Sequence, residues 1–138
     1  MQITLIVIGV IVGLIAILFF VAKRKLSKIE QVPDSQKIIT LTDKNFANQT
    51  KNKLILVDFW APWCAPCRMM APVLNELSND LDKAFVGKLD VEKNQGIAAK
   101  YNVRSIPTLI IFKNGKEVDR FVGVKNKDFL LKRMQAFL

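Results

Sequence analysis

Cys64 and Cys67 are the only two cysteines of the chain and stand three residues apart in Trp63-Cys64-Ala65-Pro66-Cys67. Residues three apart on a helix share a face, so two such sulfurs can bond or part with little backbone movement. Thiol exchange needs a thiolate, and a helix start supplies unsatisfied N–H groups and the positive end of a dipole to favour one at Cys64. Pro66 in the first turn gives up a donor that has no helical partner, and Arg68 adds positive charge nearby. The chain contains no histidine, which excludes Cys-His and Ser-His-Asp catalysis and every His-containing metal site. A zinc pair would lack two further ligands, and covalent haem attachment needs a histidine where Arg68 stands. An inert structural disulfide would gain little loop entropy from so short a loop, and it would not explain Trp63 beside an exposed thiol. Redox chemistry is the reading that uses both sulfurs.

Asp58 is the second residue with chemical potential. It interrupts Leu54–Trp60 (LILVDFW), an otherwise apolar run. A buried carboxylate is costly unless paired or able to hold a proton, so burial raises its pKa and suits it to accept and return a proton during thiol chemistry. The alternative is a side chain turned to solvent at a sheet edge. The flanking apolar residues weigh against that reading without closing it. Lys88, on the following expected strand, is the cation placed to lie near Asp58.

These residues need elements to hold them. Ile38–Leu41 reads as a short edge strand, and Thr42 or Asp43 as the cap of a short helix ending near Gln49. Leu54–Trp60 reads as a strand buried on both faces. A helix from about Cys64 to Leu81 follows, kinked at Pro72 by the lost hydrogen bond. Ala84–Val91 is a strand, Gln95–Tyr101 a short helix and Thr108–Phe112 a third buried strand. Asn114-Gly115 signals a hairpin into Glu117–Val122, and Lys127–Leu138 carries apolar residues at helical spacing. The alternation predicts an α/β domain, a mixed sheet sandwiched by helices, over residues 37–138.

The remaining residues are of another kind. The mean hydropathy is +0.22 although 24% of residues are charged, because Met1 to Ala22 carry no charged side chain. Ile3–Ala22 matches the length of a membrane-spanning helix, roughly 30 Å. A cleaved signal peptide would need a basic start and a small-x-small cleavage site, and neither is present. Gln2 is not the glycine of N-myristoylation. Residues 1–22 are therefore expected to be a transmembrane anchor in contact with the lipid bilayer, and residues 23–36 a juxtamembrane linker. Lys23, Arg24, Lys25 and Lys28 follow the apolar run, and the positive-inside rule places the domain on the cytoplasmic face, the extracytoplasmic face being the alternative. The Gly9-x-x-x-Gly13 spacing would allow a weak helix dimer, though glycine is common in membrane helices.

The stretch Val57-Asp58-Phe59-Trp60-Ala61-Pro62-Trp63-Cys64-Ala65-Pro66-Cys67-Arg68 resembles the active-site segment of the thioredoxin family. The blocks Met69–Pro72, Lys88–Asp90, Tyr101–Thr108 and Phe112–Gly115 continue the resemblance in order, over about Ile38 to Leu138. The resemblance implies a thioredoxin fold with Cys64 as attacking and Cys67 as resolving thiol. Asp58 would be the buried carboxylate serving Cys67, with Lys88 nearby, and Pro107 a cis-proline facing the cysteines. Trp63, Pro66, Ile106 and Gly123 would line the substrate surface. Ala65 stands where the family usually has glycine between the cysteines, and Ser105 where glycine is common. Both bear on redox potential and substrate range.

The expected function is reduction of protein disulfides by dithiol exchange, with an upstream thiol reductase to restore the pair. No cofactor is implied, since the sulfurs carry the electrons, and no metal site is expected. One rival is an extracytoplasmic oxidase, isomerase or cytochrome-maturation reductase. A second is a binding module that does not turn over. A net charge of +9 raises nucleic-acid binding, but the lysines are scattered without a basic-aromatic cluster, and no nucleic-acid partner is expected.

Overall fold

The computed structural model describes residues 2–27 and 32–138. The chain divides into two compact units, one ending at Gln31 and one spanning Val32–Leu138. The first contains α1 (Gln2–Ser27), a 26-residue helix. Its described side chains run unbroken from Ile6 to Val21, and all are exposed. Over those sixteen residues, and elsewhere among the described residues, no helix is long and apolar enough to cross a membrane. A Cβ at Gly9 or Gly13 would meet nothing within 4 Å. Lys28 to Gln31, expected as part of the linker, lie outside the described residues.

The second unit is built on five strands: β1 (Ile38–Leu41), β2 (Leu54–Trp60), β3 (Phe85–Asp90), β4 (Thr108–Lys113) and β5 (Lys116–Val122). Their order across the sheet is β1-β3-β2-β4-β5. β1 and β2 both run parallel to β3, whereas β4 runs antiparallel to β2 and β5 antiparallel to β4. The helices are α2 (Phe46–Thr50), α3 (Ala65–Asp80), α4 (Gln95–Lys100) and α5 (Lys127–Gln135).

Strand parity sorts the side chains into two cores. Leu54 and Leu56 of β2 join Leu109 and Ile111 of β4, Met70, Leu74 and Leu77 of α3, and Leu130 and Met134 of α5. Ile55, Val57 and Phe59 face the other way with Phe46, Leu89, Ile110 and Phe112. There the rings of Phe46, Tyr101 and Phe112 pack with centroids 4.9 to 5.4 Å apart. Each large side chain fully buried in these layers contributes roughly 1.5–3 kcal/mol.

The alternation of strands and helices suggests a third parallel strand, yet β4 is antiparallel to β2. α4 has only six residues, about 9 Å of helix, too short to carry the chain back along a strand of similar residue count that is about 20 Å long. The chain therefore re-enters the sheet at the end where β3 left it, with Thr108 opposite Phe59. Asn114 and Gly115, at φ +54° and +78°, close the hairpin into β5. Pro72 sits inside α3 without ending it.

Asp43 caps no part of α2. Its two carboxylate oxygens accept hydrogen bonds from the Gly96 and Ile97 N–H groups at 3.2 and 2.9 Å, so it secures the first turn of α4 across more than 50 residues of sequence. Thr42, the other expected cap, accepts the Asn45 N–H on its Oγ1 at 3.2 Å and the Phe46 N–H on its carbonyl at 3.0 Å, in the turn that leads into α2 after Asn45.

Candidate redox site

Cys64 is the N-cap residue of α3, with extended backbone, and Ala65 and Pro66 occupy the first turn. Its sulfur is bonded to that of Cys67, the Cα atoms 5.3 Å apart. The Cys67 N–H also donates to Cys64 Sγ at 3.2 Å. The expectation of an exposed thiol is corrected here: Cys64 is 3% and Cys67 4% exposed in the disulfide form. Ala61, Trp60, Val91 and Ile106 close around the pair, while Trp63 alongside is 64% exposed.

The loop before β4 faces the disulfide. Cys64 Sγ lies 3.9 Å from the Ile106 carbonyl oxygen, and the Ile106–Pro107 peptide is cis. The Pro107 carbonyl accepts from the Gly123 N–H at 2.8 Å, and Gly123 has φ +82°. That bond ties the end of β5 to the same loop. Ile106 and Trp63, with Val91, Val103, Arg104 and Ser105, line a shallow groove of about 380 Å³. The Trp63 indole N–H donates to Glu92 Oε1 at 2.8 Å, which fixes one wall. Val91, Glu92, Val103 and Arg104 were not singled out by sequence reasoning. Val103 and Arg104 fall within the Tyr101–Thr108 block of the family resemblance but have no role assigned there, Val91 and Glu92 lie outside every block, and all four reach the site because β3 and the α4–β4 loop end beside it.

Asp58 lies in β2, the central strand, and is 1% exposed, so the solvent-edge reading is excluded. By parity it shares the face of Leu54 and Leu56, beneath α3, whose buried stripe begins at Cys67 and continues through Met70, Ala71 and Leu74. Neither carboxylate oxygen has a hydrogen-bond partner among the described residues. Burial pushes its pKa from 3.8 to about 7, with Lys88 pulling it down and Asp34 pushing it up. A carboxyl that titrates near neutrality can both accept and return a proton at physiological pH.

Lys88 stands directly across from Asp58 in the β2–β3 register, as expected, but its ammonium is not bonded to Asp58. It lies 2.7 Å from Asp34 Oδ1 and 4.4 Å from the centre of the Trp60 ring. Arg68, read as a source of positive charge, has its Nε buried without a hydrogen-bond partner among the described residues. Among the described residues no cluster of His, Cys, Asp or Glu suits a metal ion.

Comparison with known proteins agrees with this geometry. The family model described as Thioredoxin matches residues 37–136. The chain is 50% identical over 102 residues to a protein named Thioredoxin from Staphylococcus saprophyticus, covering 73% of this chain and 98% of that one. It is 49% identical over the same length to one from Staphylococcus aureus. Among solved structures, a single-site mutant of a thioredoxin from Halobacterium salinarum superposes with a TM-score of 0.65 at 32% identity, over 77% of this chain and 95% of that one. The match over residues 37–136 and the 50% identity to proteins named Thioredoxin give the Cys64–Cys67 pair a protein-disulfide reductase role, and the chain belongs to the thioredoxin family.

Proposed function

We propose that this chain is a membrane-anchored thioredoxin that reduces disulfides of protein substrates at the cytoplasmic face of a bilayer. The observation that carries the chemical half is the position of Cys64, N-cap of α3 and bonded to Cys67. In this reading Cys64 thiolate attacks a substrate disulfide, forming a mixed disulfide and releasing one substrate thiolate. Cys67 then loses its proton to Asp58 and attacks Cys64 Sγ. The internal disulfide forms, the second substrate sulfur leaves as a thiolate and takes up the proton that Asp58 returns, and two electrons have passed to the substrate. Lys88 tunes Asp58. Trp63, Pro66, Ile106, Pro107 and Gly123 receive the substrate, and an upstream thiol reductase restores the dithiol. Replacing Cys67 by Ser leaves the mixed disulfide without a resolving thiol. The full chain carrying C67S should therefore accumulate covalent adducts released by dithiothreitol, and absence of adducts would reverse the assignment of the two sulfurs.

The membrane half rests on composition. Gln2 to Ala22 hold no charged side chain, and the uncharged run is as long as the roughly 20 residues that a bilayer core of about 30 Å asks of a spanning segment. Lys23, Arg24, Lys25 and Lys28 follow, which favours a cytoplasmic domain. In intact cells under reducing conditions, a membrane-impermeant thiol reagent should label Cys64 only after lysis. Labelling before lysis would move the domain to the outer face, and recovery of the chain in the soluble fraction would remove the anchor.

A further inference from the structure

Asp34 lies before the segment that matches the thioredoxin family, which begins at residue 37, and in the sequence it belongs to a tether. In the fold it is part of the domain. The Ser35 N–H donates to Asn75 Oδ1 at 2.7 Å, and Asn75 Nδ2 donates to the Pro33 carbonyl at 3.0 Å. One side chain of α3 thus grips the backbone on both sides of Asp34. Held there, Asp34 Oδ1 meets Lys88 Nζ at 2.7 Å.

We infer that Asp34 is a positioning residue for thiol exchange: by holding the Lys88 ammonium against Trp60, it denies Asp58 a direct cation partner and keeps it able to take a proton from Cys67. The inference deepens the proposed role of Asp58 and rests on it. An opposite charge in contact with a carboxylate lowers its pKa by about 1–3 units. Lys88 is the cation opposite Asp58 in register, and among the described residues nothing hydrogen-bonds either Asp58 oxygen. A lysine stem is flexible enough for its ammonium to turn toward either acid, and the geometry assigns it to Asp34.

The other groups around Asp58 leave Lys88 and Asp34 as its charged neighbours. On its own strand the same face carries Leu56 and Trp60, and β4 places Leu109 opposite it. α3 turns Cys67, Met70 and Ala71 inward, and α5 contributes Leu130 and Met134. β3 contributes Lys88, and the segment before β1 contributes Asp34. The Asp34 side chain is 40% exposed and that of Lys88 11%. Solvent therefore screens the direct field of Asp34 at Asp58, and its leverage comes through the ammonium it holds. A cavity of about 240 Å³ whose lining includes Asp34, Trp60, Lys88, Asp90 and Lys93 adjoins the ion pair. Asp90, the rival anion there, already faces Lys93 at 3.9 Å and accepts the Glu92 N–H.

The test uses the full chain in detergent, with two readouts across pH. One is the Asp58 carboxyl resonance by carbon NMR, and the other is the rate of insulin disulfide reduction by the reduced protein. In D34N, Lys88 is released, and both the titration midpoint and the rate limb should move to lower pH by roughly half a unit or more. D34E should stay near the parent, and N75A should move in the same direction by less. K88M should move both curves to higher pH. Adding D34N to K88M should then produce less than half of the shift seen in the parent background. If D34N titrates with the parent and only its melting temperature falls, Asp34 is an ordinary surface ion pair and the inference is overturned. If the NMR midpoint moves while the rate limb stays, the electrostatic link holds but Asp58 is not the base. That outcome also overturns the positioning role and traces the failure to the proposed function.

Discussion

Two aspartates of this domain make opposite use of a carboxylate. Asp43, exposed at the surface, commits both oxygens to backbone N–H groups of α4, while its own N–H is held by Asn94 Oδ1 at 2.9 Å. Asp58, buried in the central strand, has no hydrogen bond to either oxygen among the described residues. A carboxylate with its lone pairs filled by backbone donors is a structural tie, because losing it orphans those donors. A buried carboxylate left unsatisfied costs stability, and such costs persist where chemistry requires them. The contrast separates architecture from chemistry without reference to any relative, and single substitutions test it.

The largest effect should come from D58N. Insulin reduction near pH 7 should slow by about tenfold or more. That is below the usual ~10²–10⁴ range for a general base, because a thiol with a pKa near 8.5 ionises appreciably unaided. Stability should move the opposite way. The Asp58 pKa is about 7 in the fold against an ordinary 3.8, so between those values the folded chain binds a proton that the unfolded chain has lost. Its contribution is present below pH 4, falls as pH rises toward 7 and is constant above, a loss on the order of 4 kcal/mol. Asn cannot ionise, so in urea D58N should outlast the parent at pH 8 and converge with it near pH 4. A variant less stable than the parent at pH 8 would mean that the charged carboxylate is compensated in a way its bare oxygens do not show.

D43A should show the complementary pattern. Two N–H groups of α4 lose their acceptor, which costs about 1–2 kcal/mol, as for other lost helix caps. The urea midpoint should fall while insulin reduction changes by less than about twofold, because no part of Asp43 touches the disulfide. If D43A slows exchange as much as D58N does, the division between structural and chemical carboxylates fails.

The sequence makes some of this visible and hides the rest for identifiable reasons. Cys64, Cys67 and Pro66 are legible because a helix start imposes local requirements on neighbouring residues. Asp58 stands out as a charge inside an apolar run, and Lys88 follows by strand pairing. The direction of β4 is not legible from alternation alone, because it depends on the length of α4, and helix ends are the least certain feature of a pattern. Asp43 reads as a local cap, but its partners lie more than 50 residues away, and no local rule reports so distant a contact. Asp34 and Asn75 escape notice for the same reason. They look like linker and helix surface until the fold joins them. The burial of Cys64 likewise depends on Ala61, Val91 and Ile106 from separate elements.

Gly123 supplies the finest version of the contrast, since its contribution lies in the backbone. It holds φ +82° while its N–H bonds the Pro107 carbonyl at 2.8 Å. A side chain at positive φ costs about 1–2 kcal/mol, so G123A should lower the urea stability by roughly 1 kcal/mol, less than D43A or D58N alters it. Neither the disulfide nor Asp58 is touched, so the pH of the rate limb should stay with the parent. The added methyl and the strained turn act where β5 ties to the Ile106–Pro107 loop, so insulin reduction should show a raised KM with kcat preserved. A fall in kcat at unchanged KM would instead mean that the Gly123–Pro107 bond holds the loop against Cys64 for the chemical step, and Gly123 would then belong with Asp58 on the chemical side of the division.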